Sequence, residues 1–513
     1  MLFLFHSLFY SLLPLFFSLV FLLKWWPNQK PQRNLPPSPS KIPIIGNLHQ
    51  LGLSPHRSLQ SLAQQYGHLM LLHLGSKPTL IVSSADAARE IMKTHDLNFS
   101  NRPKSRIPSR LLYDKDMVFS PYGEYWRQLR SICALHLLSN KRVESFRRVR
   151  EEETTLMLEK IKQSSSSSSS PVNLTEILIL LTNDIFCRVA LGKKYSDRGK
   201  GDIKLKELFS DFMEVLGAFN VGEHIPWLSW LNHINGLNGK VEKVATELDK
   251  FLEGVVEEHM DSRKRDIDGC GSDEHDEGQK DFVDVLLEIQ RDSSTTAFPL
   301  HRDSIKALIL NMYTGGTDTT YTALEWEMTE LLRHPKVMKK LQNEVRGIAK
   351  GKDNITEDDL EKMQYLKAVI RESLRLHTPV PLLVPREAIQ DVNVMGYDIA
   401  AGTQVFINAW AIARDPLLWE DAEVFWPDRF LNTSIDYKGI DFQFIPFGAG
   451  RRGCPGIHFA EPINELALAK LVHKFDFVLP SGARDQDMDL TEAPIATLSR
   501  KYPLLVVATP YSC

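Results

Sequence analysis

One cysteine lies in a setting that could serve chemistry. In Phe447-Gly-Ala-Gly-Arg-Arg-Gly-Cys454-Pro-Gly456, four glycines fall within nine residues of one another around Cys454. Glycine lets the backbone approach a large flat cofactor and adopt positive φ. Such a loop can aim several N–H groups at one sulfur, lowering its basicity and tuning a bound iron. A thiolate on iron pushes electron density into the metal and favours O–O cleavage. Arg452 can pair with a cofactor carboxylate. The competing reading is a buried structural cysteine beside a glycine-rich turn, the commoner fate of a lone thiol. His458, four residues on, suggests a Cys/His metal pair, but with no further ligands near it in sequence zinc fits poorly.

Other groupings have spacings that place them on helix faces. Glu372 and Arg375 lie three apart and face the same way. Trp126 and Arg130 lie four apart and share a face, as a paired site or as a core tryptophan beside a solvated arginine. Gly315 and Gly316 interrupt a long helical stretch, each at a cost of about 1 kcal/mol against alanine. A local opening of the helix is the expected compensation. Asp318 and Thr319 follow, a carboxylate and a hydroxyl suited to proton transfer. The plainer alternative is a tolerated kink with polar residues on the wet side.

These residues need elements to hold them. Apolar residues recur at spacings of three and four over Ser84–Thr94, Tyr122–Leu138 and Lys141–Lys162, which predicts helices. A long helix is expected from about Arg302 to Arg333, stopped by His334-Pro335. Another is expected to start near Thr356, whose spacing to Asp359 fits a capping box, and to end near His377-Thr378-Pro379. Strand-like segments are few: Leu69–Leu74, Thr79–Val82, Val392–Tyr397 and Thr403–Ile407, with turns at Gly396 and Gly402. The fold class is therefore mainly α with small β-sheets. The serine run Ser164–Ser170 and the polar stretch Arg263–Lys280 read as loops, not domain boundaries.

Charge and cysteine usage narrow the function classes. A net charge of −4 over 513 residues offers no overall positive field for nucleic acid. The five cysteines form no C-x-x-C pair and no disulfide framework, which fits a reducing compartment.

Leu2–Leu23 is apolar and free of Lys, Arg, Asp and Glu. As a helix it would be roughly 33 Å long, enough for a bilayer core of about 30 Å. Trp25 and Trp26 then fall at the interface, and Lys24, Lys30, Arg33 and Lys41 place the rest of the chain in the cytosol. The alternative, a cleaved signal peptide, lacks a basic n-region and an A-x-A-like site. The proline-rich Leu35–Pro43 reads as a stiff spacer.

The cysteine loop matches the F-x-x-G-x-R-x-C-x-G signature of the cytochrome P450 superfamily at every fixed position. Three further motifs follow the family's order. Glu372-Ser-Leu-Arg375 resembles its E-x-x-R motif, and Gly315-Gly-Thr-Asp-Thr319-Thr320 its oxygen-binding helix motif. Phe425-Trp-Pro-Asp-Arg429-Phe430 resembles its P-E-R-F segment, with Asp428 where Glu is usual. Within the superfamily the chain is most similar to the plant microsomal A-type enzymes of family 71. The closer match lies in Pro36-Pro-Ser-Pro, Ile44-Ile-Gly-Asn-Leu-His-Gln50, Tyr122-Gly-Glu-Tyr-Trp-Arg127 and Ile445-Pro-Phe-Gly-Ala-Gly-Arg-Arg-Gly-Cys454.

The resemblance implies a cytochrome P450 fold preceded by an N-terminal transmembrane helix. Residues 1–24 would be the anchor, 25–46 a basic, proline-rich hinge, and 47–513 the haem-thiolate catalytic domain. Cys454 would ligate the iron of haem b, with Arg452, Phe447, Trp126 and Arg130 around the cofactor. Glu372, Arg375 and Arg429 would form a buried triad beneath it. The open helix would give dioxygen and water room over the iron, and Asp318 and Thr319 would deliver protons during dioxygen reduction. Electrons would come from NADPH through NADPH–cytochrome P450 reductase at the endoplasmic reticulum membrane, the catalytic domain facing the cytosol. Arg127, Lys141, Arg142, Arg147 and Arg148 form a candidate docking face, or only a solvated helix face. Substrate contacts are implied at Arg106–Val118, near Phe212–Val221, at Asn311, Met312 and Gly315, at Val380–Leu383, and around Ile495–Thr497. Asn311 would bind a substrate heteroatom or satisfy the helix backbone. The mostly apolar set implies a lipophilic substrate such as a terpenoid, indole alkaloid or coumarin/phenylpropanoid, to be hydroxylated, epoxidised or oxidatively cyclised. The competing classes are a haem-thiolate isomerase or dehydratase that does not use dioxygen, and a non-catalytic haem-binding protein.

Overall fold

The helix Arg302–Arg333 is the column around which the computed structural model is built. Its central residues are buried nearly all round, as expected for a helix without a solvent face. It ends where the proline predicts: His334 leaves helical geometry and Pro335 starts the next helix, Pro335–Ile348. The helix Leu174–Leu191 and the helix that follows the cysteine loop, Ile457–Lys474, pack directly on it. The structure describes residues 33–165, 171–195, 200–267, 280–292, 299–480, 488–493 and 497–511. No helix among them is long and apolar enough to cross a membrane. The expected anchor Leu2–Leu23, Trp25 and Trp26, most of the serine run and Ile495 lie outside the described residues.

Strands are short, as expected. β1 (Leu69–Leu74) pairs antiparallel with β2 (Lys77–Val82), with Leu69 opposite Val82. A short β3 (Val172–Asn173) and β4 (Arg386–Glu387) follow. Val392–Tyr397 is not one strand: β5 (Val392–Val394) and β6 (Tyr397–Ile399) are separated by Met395 and Gly396, both at positive φ, the backbone of a two-residue hairpin turn. β7 (Gln404–Ile407) lies between β2, parallel, and β4, antiparallel. β8 (Phe475–Val478) and β9 (Leu505–Pro510) complete a second sheet with β3.

The segment expected as one helix from Thr356 to His377 is two. The Thr356–Asp359 capping box forms, but it opens a single turn, Glu357–Leu360. The helix carrying Glu372 starts anew at Gln364 and runs to Leu376. Its first-turn amides at Tyr365 and Leu366 are taken by the Glu344 carboxylate of the neighbouring helix, at 2.8 and 2.9 Å. The stretch expected to loop from Arg263 stays helical to Ile267. The described part of the hinge is strapped to the sheets: Arg33 pairs with Asp391, Asn34 bonds Asp398 and Gly396, and the Leu71 amide donates to the Pro37 carbonyl.

Candidate active site

The cysteine loop turns through Gly448 and Gly450, both in the left-handed region at φ 67° and 68°. A Cβ on Gly450 would lie 2.3 Å from the Met92 carbonyl oxygen, so only glycine fits this close approach. The Cys454 amide donates to the Phe447 carbonyl at 2.9 Å, and the Gly456 amide donates to Sγ at 3.3 Å. Burial pushes the Cys454 thiol up, while the Gly456 amide and the charge of Arg130 oppose the shift. Yet Cys454 is exposed to a water-sized sphere, unlike buried Cys133 and Cys187. The sulfur is thus desolvated by its own loop but not closely packed all round.

Beside this loop the chain concentrates guanidinium groups. Arg452 stacks over Trp126 at 4.1 Å and donates to the carbonyls of Ser100, Ser120 and Met117 at 2.8, 2.6 and 3.3 Å. Trp126 Nε1 donates to the same Met117 carbonyl at 2.9 Å. Arg102 donates to the carbonyls of Val118, Val384 and Pro385. Arg386 bonds the Ala449 carbonyl and pairs with Asp96, which also takes Arg451. Desolvation, joined at Arg102 and Arg452 by repulsion from neighbouring arginines, lowers the pKa of Arg102, Arg130 and Arg452, the last to about 9; burial also lowers Arg386. The carboxylates facing these four groups are Asp96 and Asp116, and burial pushes Asp116 up to about 6. This surplus of buried positive charge fits a cofactor that carries carboxylates of its own, as haem b does. Arg452 is thus only partly free for a cofactor carboxylate, because three of its N–H groups hold backbone. Arg102, Arg386, Asp96 and Asp116 had no motif spacing to reveal them.

The two helix glycines do different work. A Cβ on Gly316 would touch Phe459 at 3.3 Å, so this glycine lets the long helix approach the helix behind Cys454. A Cβ on Gly315 would meet nothing within 4 Å, and Gly315 is exposed although most of its helix is buried. The helix is assigned without interruption from Arg302 to Arg333 through both glycines. Thr319 Oγ1 donates to the Gly315 carbonyl at 2.7 Å, a one-turn back-bond. Asp318 Oδ2 accepts from Thr497 Oγ1 at 2.5 Å, and burial raises its carboxyl pKa.

Glu372, Arg375 and Arg429 do meet. Arg375 is bidentate on Glu372 at 2.8 and 2.9 Å, both side chains 0% exposed, and Arg429 Nε reaches Glu372 at 3.1 Å. Arg375 also donates to the carbonyls of Ala413, Ala422 and Val424, so it ties one helix to the long segment that leads into the cysteine loop.

The implied pocket residues divide. Val380 and Leu383 are half-buried, and Leu383, at φ 52°, lies against Gly448 of the cysteine loop. Met312 and Phe212 are both buried in the main core. Asn311 Oδ1 accepts from the amides of Met117 and Val118, so it satisfies backbone of a distant segment, not of its own helix. In the basic set, Arg147 pairs with Asp358 and Glu151, Arg148 with Glu152, and Arg142 bonds the Lys280 carbonyl; Arg127 and Lys141 stay exposed.

An accessible cysteine on a glycine-rich loop, a glycine-bearing helix on the main column and a concentration of guanidinium groups beside them fit a haem-thiolate enzyme. The cytochrome P450 family model matches residues 36–506. The chain is 55% identical to cytochrome P450 71A6 of Nepeta racemosa, covering 96% of this chain and 98% of that one. It is 54% identical to a 3-beta-hydroxylase of Tanacetum parthenium over 98% and 99% of the two chains, and 52% identical to tabersonine/lochnericine 19-hydroxylase of Catharanthus roseus over 98% of each. A zebra fish cytochrome P450 solved with abiraterone shares the fold, at a TM-score of 0.75 and 24% identity over 90% of this chain and 100% of that one. The chain belongs to the cytochrome P450 family. It is a P450 monooxygenase, similar over nearly its full length to plant enzymes of family 71.

Proposed function

We propose that the protein holds haem b through Cys454 and oxidises a lipophilic plant specialised metabolite of the terpenoid, indole alkaloid or coumarin/phenylpropanoid kind. Hydroxylation is the default outcome, since relatives carry hydroxylase names; epoxidation and oxidative cyclisation remain within the same chemistry. When bound, haem b supplies the redox iron at which dioxygen is reduced and one oxygen atom is transferred. Cys454 would hold it by the thiolate, with the Gly456 amide moderating the sulfur's charge. Arg102, Arg130, Arg386 and Arg452 would meet its carboxylates. Glu372, Arg375 and Arg429 brace the segment that leads into the loop. Burial raises the Asp318 carboxyl pKa, and Asp318 with the neighbouring Thr319 hydroxyl would be the groups that deliver protons.

Electrons would arrive from NADPH through NADPH–cytochrome P450 reductase, docking at the exposed Arg127 and Lys141. Attachment to the endoplasmic reticulum membrane, catalytic domain in the cytosol, is supported by apolar exposure on one side. Ile42 and Ile44 are exposed, as are Phe219, Trp227, Trp230 and Ile234. Both stretches are tied to the β1–β2 turn: the Gly75 amide bonds Ile45 and the Ser76 amide bonds His224.

The observation that carries the reading is that Asp318, which accepts from Thr497, and Thr319, which donates to the Gly315 carbonyl, are neighbours on the long helix, candidate groups for proton delivery that an isomerase or a haem carrier does not need. The test is a microsomal assay with reductase, NADPH and a plant extract, products read by mass. Product that gains one oxygen atom only with NADPH and dioxygen is expected. Conversion without NADPH would overturn the reading.

A further inference from the structure

The peptide of Met117 is a junction between parts of the molecule far apart in sequence. Its amide donates to Asn311 Oδ1, on the long helix, at 2.7 Å. Its carbonyl accepts from Trp126 Nε1 and from Arg452 Nη1, the latter beside the cysteine loop. Asn311 is 5% exposed and takes the Val118 amide as well, at 3.3 Å. Asp116 is its buried neighbour, and the Asn311 side chain opposes the rise that burial imposes on that carboxyl. Asp116 in turn accepts from the amides of Val118 and Phe119, both at 2.7 Å. An amide suits this place because it accepts from backbone through its oxygen and has an N–H₂ group to set against a neighbouring carboxylate. A carboxylate at 311 would keep the first role and lose the second, leaving two acids face to face in a buried site.

We infer that Asn311 is a positioning residue which, with Asp116, locks residues 116–119 to the long helix and thereby holds Trp126 and Arg452 in place at the cofactor clamp. Asn311 does not bind substrate in this arrangement; it makes the wall of the substrate space and the clamp one unit. The inference rests on the reading that Cys454, Arg452 and Trp126 serve a haem.

The test is haem transfer from substrate-free holoenzyme to excess apomyoglobin, together with hydrogen exchange of the 116–119 amides. N311D loses haem about tenfold faster than wild type, as expected for a buried donor lost and a like charge added. D116N/N311D exchanges the amide and the acid, keeps an acceptor for every backbone amide and one charge in the pair, and returns to within about threefold of wild type, with exchange slowed again. In turnover, the single variant raises KM and lowers kcat, and the double variant recovers both; a substrate-contacting role would leave haem transfer unmoved. N311D within about twofold of wild type overturns the inference, as does a double variant no slower than the single. Should N311D fail to fold, the double variant decides: a haem-replete double variant upholds the inference and a haem-free one overturns it. Wild-type protein that takes up no haem refutes the haem reading instead, so the two failures are distinct.

Discussion

Replacing Glu372 with alanine removes the acceptor for four donors at once: Nε and Nη2 of Arg375, Nε of Arg429 and the Trp426 amide. Arg375 is 0% exposed and cannot recover hydration where it stands. Breaking a buried pair by removing one partner costs about 3–5 kcal/mol. Against a total stability of about 5–15 kcal/mol for a folded domain, that is a large share. The loss falls on the segment around Ala413–Val424, which Arg375 holds through three carbonyls on the way to the cysteine loop. E372A is therefore expected as apoprotein or aggregate, and not as a slow enzyme. The assay is haem per protein by absorbance, with the reduced carbon monoxide difference band and thermal unfolding alongside. An E372L/R375L double variant removes the stranded charge but also strips those carbonyls of their donors, so it is not expected to restore haem content. A folded, haem-replete E372A at wild-type yield would refute the reasoning.

T319A is expected to uncouple the enzyme, because the hydroxyl tethered to the Gly315 carbonyl is lost next to Asp318; peroxide released per NADPH consumed measures it, and an unchanged ratio removes Thr319 from the proton path. Glu327 is fully buried with no hydrogen-bond partner on either oxygen among the described residues, and burial together with nearby Glu465 pushes its pKa up to about 8. The folded state thus binds a proton the unfolded state releases near pH 4.5, so stability falls as pH rises from about 4.5 towards 8; thermal midpoints across that window should decline in wild type and less steeply in E327Q. Reversing Arg127 and Lys141, the exposed members of the basic set, is expected to raise the reductase KM; no change would leave them an ordinary solvated face.

What could be read from the chain alone was whatever a few neighbouring residues determine. The stop at Pro335, the i,i+3 pairing of Glu372 with Arg375 and the shared face of Trp126 and Arg130 all follow from helix geometry over one or two turns. The left-handed turns at Gly448 and Gly450 follow from the glycines themselves. The break before Gln364 did not show, because the acceptor that starts the second helix is Glu344 on another helix. The close packing of Gly316 against Phe459 did not show either, because Phe459 lies on another helix. Arg386 meets Asp96 across 290 residues, Arg102 meets Val384 across 282, and Asn311 meets Met117 across 194. Sequence by itself determined the family, through its motifs, and the helices that carry them, through local stereochemistry. Tertiary structure decided which buried polar groups satisfy one another and where positive charge is left over. Those partners are chosen by the need to pair every desolvated group, and that need is met only once distant segments have been brought together.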